Sequence, residues 1–574
     1  MKTQLKMLSL FTSSLLAALG LAGAVLAASP EPAPPRNAPW PALAPDAPHW
    51  AARASSGVWL RYTNGRKEIE RAAGAESRAA AALSASNPAG VVFGQTVFNK
   101  DASAMPQFET SIAIDPRNAN RLVGAYTDYR GLLDPDNNPN FTGWSTSTDG
   151  GRTVAKDGQL RAVDVLAVSL PSQGVAVVAA DKNGNFFLSS LQSQRYDPAT
   201  NGITVFRSPA AGSSTGVFAG SCTGGTDADC WPTVTVVAAD TCDFTSGGHF
   251  YDRPYVAVDR SSSVASGSVY VVWTLHGCAD MDQSTAIQIA KCTNSLSSCT
   301  APVTLDSTTG TGSAFDLVQS SHLTVGPTGK VYVTWVARSG DTPQEETDII
   351  RLLVIAPTAS ASVVGTLGPL RTVHTETLPL PWYSVPFPGG PLTRTYPKVG
   401  VRGKRAIIVW DRRTANSLFS YNAYVRSEIV AKFTDDDGAN FSKVQAVSSG
   451  AGPRYQPTIC VASPTGPVVV GYASVQNDAT WSDRQDWYVA KSSNGAAPYA
   501  QLRLTSVSND TRADPLGGGY VIGDHPEVAC QGNVGFLHFT ANYAAKPLGD
   551  YFGSPANSLV VRQQDNFLHR FTLP

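Results

Sequence analysis

The sequence predicts an all-β fold: a β-propeller of seven four-stranded blades, with six as the alternative if one copy is misread. Three observations lead there. The composition is the first. Only 16% of the 574 residues are charged, Gly 50 and Pro 39 supply many turns, and 42% of residues are hydrophobic. That describes a folded, turn-rich β chain and excludes a disordered one. The second is a recurring pattern: an alternating apolar strand, often opened by Pro, a short Gly turn, then a strand that often ends in an aromatic residue. Pro254–Asp259 with Gly267–Trp273, and Leu323–Val325 with Gly329–Trp335, are the best copies. The third is spacing. The matched apolar positions Ile112, Val178, Val256, Leu323, Val399, Ile459 and Val528 recur at intervals of 66, 78, 67, 76, 60 and 69 residues. A steady period marks a repeat architecture, and about four short strands per copy make a propeller blade. Radial closure protects the strand edges that an open sheet of this size exposes.

The elements follow in chain order. Lys2 and Lys6 precede the apolar stretch Met7 to Val25, and Val25-Leu26-Ala27 places small residues before a cleavage point after Ala27. Residues 1–27 therefore read as a signal peptide. An uncleaved anchor is the alternative, since about 19 apolar residues just span a bilayer. Residues 28–90 read as a Pro- and Ala-rich linker, with a helix-compatible stretch from Arg66 to Ser86. Strand-like sequence begins at Val91-Val92-Phe93, and residues 91–574 form the propeller. The expected location is secreted or periplasmic, with no membrane insertion after signal cleavage. Lys+Arg 44 against Asp+Glu 45 leaves no basic excess, so a nucleic-acid partner is not expected.

Eight cysteines remain in the mature chain. An even count behind a signal peptide reads as disulfides. Cys222/Cys230 and Cys292/Cys299 form local staples by spacing, leaving Cys242/Cys278 and Cys460/Cys530. Zinc is the rival reading, but there is neither a C-x-x-C nor a His-Cys cluster. No metal and no cofactor are expected.

Two stretches share the order hydroxyl, Asp, Gly, aromatic or β-branched residue: Ser147-Thr148-Asp149-Gly150-Gly151-Arg152-Thr153-Val154 and Thr434-Asp435-Asp436-Asp437-Gly438-Ala439-Asn440-Phe441. Physically each is a β-hairpin turn, with Asp accepting backbone N–H groups and Gly adopting the left-handed conformation. The pattern resembles the Asp-box, or bacterial neuraminidase repeat, of the sialidase-like propellers. The resemblance covers roughly residues 91–574 and implies that fold. In that frame Cys292 to Cys299 falls where the third blade has its Asp-box, so a disulfide replaces the Asp turn. Cys460 and Cys530 fall on the first strands of consecutive blades, one position apart, so they face each other across a blade interface. Asp149 and Asp436 read as structural. Calcium at Asp435–Asp437 or Asp134–Asn138 is the alternative, although neither stretch has the spacing of a known loop.

In such a blade the third-to-fourth turn lies opposite the mouth formed by the starts of the innermost strands. Residues flanking the mouth are unusually charged: Glu109, Asp128, Arg130, Asp252, Arg253, His276, Arg338, Arg394, Tyr396, Asp411, Arg412, Arg413, Arg454, Asp524 and His525. Guanidinium groups bind carboxylates in bidentate fashion, so an Arg-rich mouth suits an anionic ligand. Mutual Arg–Asp pairing around the channel is the plainer alternative. The sialidase resemblance implies three arginines on the substrate carboxylate, matched by Arg253, Arg394 and Arg454, with Arg130 and Arg412 nearby. It implies Tyr396 with Glu109 as nucleophile pair and an Asp acid/base, for which Asp128 is the candidate. Separately, Asp524 and His525 are candidates for an acid/base role of a lyase or another hydrolase. The sialidase Arg-Ile-Pro motif is absent, and Arg253-Pro254 comes nearest.

Three functions follow. The first is a secreted glycoside hydrolase of exo-sialidase type acting on an anionic glycan. The second is a non-catalytic propeller binding a glycan or a protein at the cell surface. The third is a polysaccharide lyase with a Tyr or His base beside an Arg-neutralised uronate. A monomer is expected in each case.

Overall fold

Seven antiparallel blades follow one another in chain order around a closed ring. The computed structural model describes residues 95–573, apart from 102–104, 134–139, 195–199, 244–245, 280–283, 309–316, 343–344, 379–395, 416–424, 451, 478–483, 511–521, 524, 544, 548–559 and 563. The signal segment, the 28–90 linker with its helix-compatible stretch, and the strand reading at Val91–Phe93 lie outside the described residues.

Blade 1 is Gln107–Asp115, Asn118–Asp128, Thr142–Ser147 and Lys156–Gln159. Blade 2 is Val177–Ala180, Phe186–Ser193, Thr200–Ser208 and Thr233–Asp243. Blade 3 is Gly247–Val258, Val269–Gly277, Thr285–Cys292 and Val303–Thr308. Blade 4 is Leu317–Val325, Val331–Thr342 and Glu345–Ala356, with Thr366–Leu367 and Arg371–Leu378 sharing its outer position. Blade 5 is Lys398–Arg402, Arg405–Ala415, Val425–Thr434 and Gln445–Ala446. Blade 6 is Arg454–Val461, Val468–Ser474, Arg484–Ser492 and Ala500–Arg503. Blade 7 is Glu527–Gln531, Val534–Ala541 and Asp565–Thr572, completed by Gln95–Val97. Each innermost strand touches the next, and Glu527–Gln531 closes back on Gln107–Asp115. The seven repeated apolar residues each lie in the innermost strand of their own blade, Ile112 opposite Gly124 and Val528 opposite Leu537, for example.

Two connections were not foreseen. The outermost strand of blade 7 comes from the other end of the described chain: Gln95–Val97 pairs with His569 to Phe567. Blades 2 and 3 also share one continuous sheet, because Cys242 and Asp243 pair with Gly248 and Gly247. The Cys242–Cys278 disulfide staples this extension.

The core is a ring of interfaces between blades, so each sheet is apolar on both faces. Between blades 7 and 1, Ile112, Ile114 and Leu122 pack with Phe98, Val534, Phe536 and Leu568. A fully buried residue of this kind contributes about 1.5–3 kcal/mol. Gly124 permits that closeness, since a Cβ there would sit 2.7 Å from the Phe98 ring.

The innermost strands turn one unpaired edge to the channel, and their buried N–H groups need acceptors. A side chain of the preceding blade supplies them in three blades. Ser111 Oγ accepts Val178 N–H at 3.1 Å, His322 Nδ1 accepts Val399 N–H at 3.2 Å, and Thr458 Oγ1 accepts Val528 N–H at 3.1 Å. Each acceptor stands one residue before the repeated apolar position, and each donor is that apolar residue in the next blade.

All four disulfides pair as the spacing suggested, and Cys460–Cys530 crosses from blade 6 to blade 7. Four disulfides fit an oxidising extracellular or periplasmic compartment. Among the described residues, no helix is long and apolar enough to cross a membrane.

Candidate functional site

Three residues before the repeated apolar position, the innermost strand bulges in four of the blades. Glu109, Val175, Arg253, Ser320 and Gln456 all have φ between 51° and 63°, and the ladder slips there in blades 1, 3, 4 and 6. Positive φ is uncommon outside glycine and a genuine outlier for β-branched Val175. Its recurrence at one register position makes it a device of this repeat. Bulges re-aim a side chain where pairing ends. Tyr396 and His525 hold the same position in blades 5 and 7, so these seven residues form one rim around the channel mouth.

Four sequence-predicted site residues therefore share this rim: Glu109, Arg253, Tyr396 and His525. Arg253 of blade 3 reaches Tyr396 of blade 5, its guanidinium carbon 3.9 Å from the ring centroid. These blades are not neighbours, so the stack lies across the mouth. Glu109 is fully buried, and its Oε2 accepts the Thr127 hydroxyl at 2.7 Å. The His525 carbonyl accepts Thr110 N–H, and the Gly523 carbonyl accepts Gln456 Nε2 at 2.6 Å. Gly523, with φ of 75°, lies so close to Glu109 that a Cβ would come within 2.8 Å of its nitrogen.

Beneath the rim lies a floor, one residue before the apolar position. It contains Tyr255, His322, Lys398 and Glu527, none of which the sequence reading selected. Tyr255 Oη of blade 3 donates to Glu527 Oε2 of blade 7 at 3.0 Å, a bond that crosses the ring. Thr458 Oγ1 approaches Glu527 Oε1 at 3.5 Å. Lys398 Nζ lies 5.0 Å from the Tyr255 ring centroid, and the His322 ring packs on the same tyrosine at 4.2 Å. Burial raises the Glu527 carboxyl against the opposing pull of Lys398, Tyr255 and Thr458. Burial, then the Lys398 and His525 charges, hold His322 well below the ordinary histidine value. Burial and Glu527 keep the Tyr255 phenol protonated. The floor was visible in one signal: aligned on the repeat, this column carries titratable residues inside strands buried on both faces.

The remaining predicted residues are engaged elsewhere. Arg130 Nε bonds Asp128 Oδ2 at 2.6 Å and its Nη1 bonds Asp157 at 2.9 Å. Burial lifts Asp128 to about 6 despite Arg130. Arg454 donates to the carbonyls of Gly450 and Gly452 at 2.6 and 2.7 Å, tying down its own loop. Arg412 pairs with Glu428, Arg413 with Asp411 at 3.5 Å, and Arg338 with Asp348 at 2.8 Å. Around them burial raises Glu376 to about 7 and Asp411 to about 6. Arg394 and Asp524 lie outside the described residues. Of the two described arginines among the three expected on a carboxylate, Arg253 is the one placed at the rim.

The Asp-boxes lie at the opposite end, where Gly150 N–H reaches the carbonyl of Asn120 at the start of the second strand. Asp149 Oδ1 accepts the Ser147 hydroxyl and the N–H groups of Arg152 and Thr153. Asp436 repeats this with Thr434 and Asn440, whose bonds lower it to about 2. Asp435 pairs with Arg405 and Asp437 with Lys330, so all three aspartates of the calcium alternative have protein partners. Blade 6 carries an abbreviated turn that the sequence reading missed, with Ser492 accepting Gly495 N–H and Asn494 accepting Ala496 N–H. Among the described residues, no cluster of three or more His, Cys, Asp or Glu is arranged to hold a metal. The other calcium stretch, Asp134–Asn138, lies outside them.

No family model matches the chain. No curated protein matches it either. Among solved structures, a Hadza microbial sialidase aligns at 8% identity and TM-score 0.36, over 82% of this chain and 66% of its own. The α-L-arabinofuranosidase Arb93A from Fusarium graminearum aligns at 10% identity and TM-score 0.41, over 83% and 98%. A polysaccharide lyase aligns at 8% identity and TM-score 0.40, over 79% and 88%.

Proposed function

We propose that this is a secreted propeller that takes an anionic glycan at its channel mouth and hydrolyses it as an exo-acting glycosidase of sialidase type. The observation that carries the reading is the Arg253–Tyr396 stack across the mouth, on the rim that also bears Glu109 and His525. A stacked guanidinium uses its face, whereas carboxylate recognition uses the N–H groups of its edge. Arg253 then grips the sugar at the mouth through that edge. Tyr396 serves as nucleophile, with Glu109 receiving the phenol proton and His525 in the acid/base role. The Tyr255–Glu527 bond spans the channel below the rim, an arrangement that suits a chain end over the middle of a chain.

A non-catalytic glycan-binding propeller is the second reading. It is favoured by the pairing of Arg130, Arg338, Arg412 and Arg413 with carboxylates and of Arg454 with backbone carbonyls. Turnover of a fluorogenic sialoside, beside a panel of uronate-containing polysaccharides, separates the readings. Sialoside cleavage that disappears in Tyr396→Phe supports the hydrolase. New unsaturated ends on a uronate polymer move the assignment to a lyase. Binding without turnover leaves the second reading.

A further inference from the structure

We propose that the channel floor is an acid-group subsite, in which His322 Nε2–H and the Lys398 ammonium hold the carboxylate of a chain-end sugar whose body lies at the rim. This rests on the glycan reading above and names the part of the ligand that enters first.

The tautomer of His322 follows from its neighbours. Nδ1 accepts the Val399 N–H at 3.2 Å, so the single proton of the neutral ring sits on Nε2. Nε2–H has no hydrogen-bond partner among the described residues, although the side chain is 4% exposed. That donor is therefore left for whatever occupies the channel. The ring cannot swing away, because Val399 holds one edge and Tyr255 packs on its face at 4.2 Å. Lys398 supplies the positive charge, with its ammonium 5.0 Å from the same Tyr255 ring. Two donors from adjacent blades thus converge on the channel beneath Arg253 and Tyr396. The Tyr255–Glu527 bond crosses the ring beside them.

Glu527 sets the charge balance. It is faced by Tyr255 from blade 3, Lys398 from blade 5 and Thr458 from blade 6, and the His322 ring of blade 4 packs on that tyrosine. On its own blade stand His525 and its cross-strand partner His538, whose ring bonds the Ser111 carbonyl and Asn566. One ammonium does not balance two carboxylates in so buried a place. Ligand binding therefore draws one proton onto Glu527, whose burial already favours its neutral form.

The test uses the mature protein, calorimetric titration, and four probes: N-acetylneuraminic acid, glucuronic acid and the methyl ester of each. At least one acid is expected to bind, with its ester weaker by at least about tenfold, the scale of a hydrogen bond to a charged group. Proton uptake is expected as a buffer-dependent enthalpy and as tighter binding at pH 5 than at pH 8. His322→Asn keeps an acceptor near Val399 N–H and removes the Nε2 donor. It should lose about tenfold for the acid and leave the ester unchanged, with His322→Gln recovering part of the loss. The thermal midpoint of each variant confirms folding. Unchanged acid binding in His322→Asn, with loss in Arg253→Ala, overturns the floor subsite and leaves the mouth reading standing. Equal affinity for acid and ester overturns the subsite in the same way. Failure of the native protein to bind either acid overturns both.

Discussion

The Asp-box of blade 5 and the channel floor are both polar networks built on a carboxylate, and they are assembled in opposite ways. Asp436 draws its partners Thr434 and Asn440 from within four residues of itself, at an exposed turn. Glu527 draws Tyr255 from 272 residues away, with Lys398 and Thr458 from two further blades, inside the ring. Local chain geometry builds the first, and water shares the load there. Ring closure alone builds the second, where an unmatched charge has no solvent to turn to. The comparison predicts that the floor is costly to disturb and the boxes cheap.

The largest effect is expected at the floor. Lys398→Met leaves Glu527 without its counter-charge and should destabilise the protein by about 3–5 kcal/mol, the cost of breaking a buried pair. Chemical denaturation measures it, and adding Glu527→Gln should recover much of the loss. A stability-neutral Lys398→Met would end the comparison. Next comes the blade 6–7 staple. Replacing Cys460 and Cys530 with Ser should remove roughly 2–4 kcal/mol, because the bridge closes a long loop.

A third effect separates the two kinds of carboxyl by pH. Asp128 and Asp411 are held near 6 and Glu376 near 7 in the folded protein. Unfolded carboxyls titrate near about 4, so between those values the native state binds more protons than the unfolded state. Stability should therefore fall as pH rises from about 4 to 7 and level off above. Asp436, lowered to about 2, works in the other direction. Its contribution is present above the unfolded carboxyl value and is lost only as pH falls toward 2. Thermal midpoints between pH 4 and pH 8 test the first trend, and Asp128→Asn should flatten part of it. A midpoint that rises across this range would show that the buried carboxyls are not held protonated. The smallest effect is expected at the first box. Asp149→Ala removes an acceptor for two turn N–H groups, as a lost helix cap does, and should cost about 1 kcal/mol at most.

The candidate site was legible to the extent that it followed the repeat. Glu109, Arg253, Tyr396 and His525 were chosen for their offset from the opening of each blade, and that offset proved to be one register position, bulged at Glu109 and Arg253. Arg454 stood two residues farther out than the rim position of its blade, and its donors turned to the nearby carbonyls of Gly450 and Gly452. Arg130 and Arg412 met carboxylates of their own blades. Position along a strand tells where a guanidinium starts. Its length lets neighbouring acceptors decide where it ends.

By itself, the sequence determined what is periodic and local: seven copies, their innermost strands, the Asp-box turns and the cysteine pairs. Each is written in alternation, turn chemistry or spacing, which act over a few residues and recur. The tertiary structure alone decided what depends on closing the ring. It brought Gln95–Val97 to the edge of blade 7, joined blades 2 and 3 into one sheet, laid Arg253 on Tyr396, and set Tyr255 against Glu527. These partners share no local pattern, because they meet only once seven interfaces have packed and the channel has left their side chains nowhere else to go.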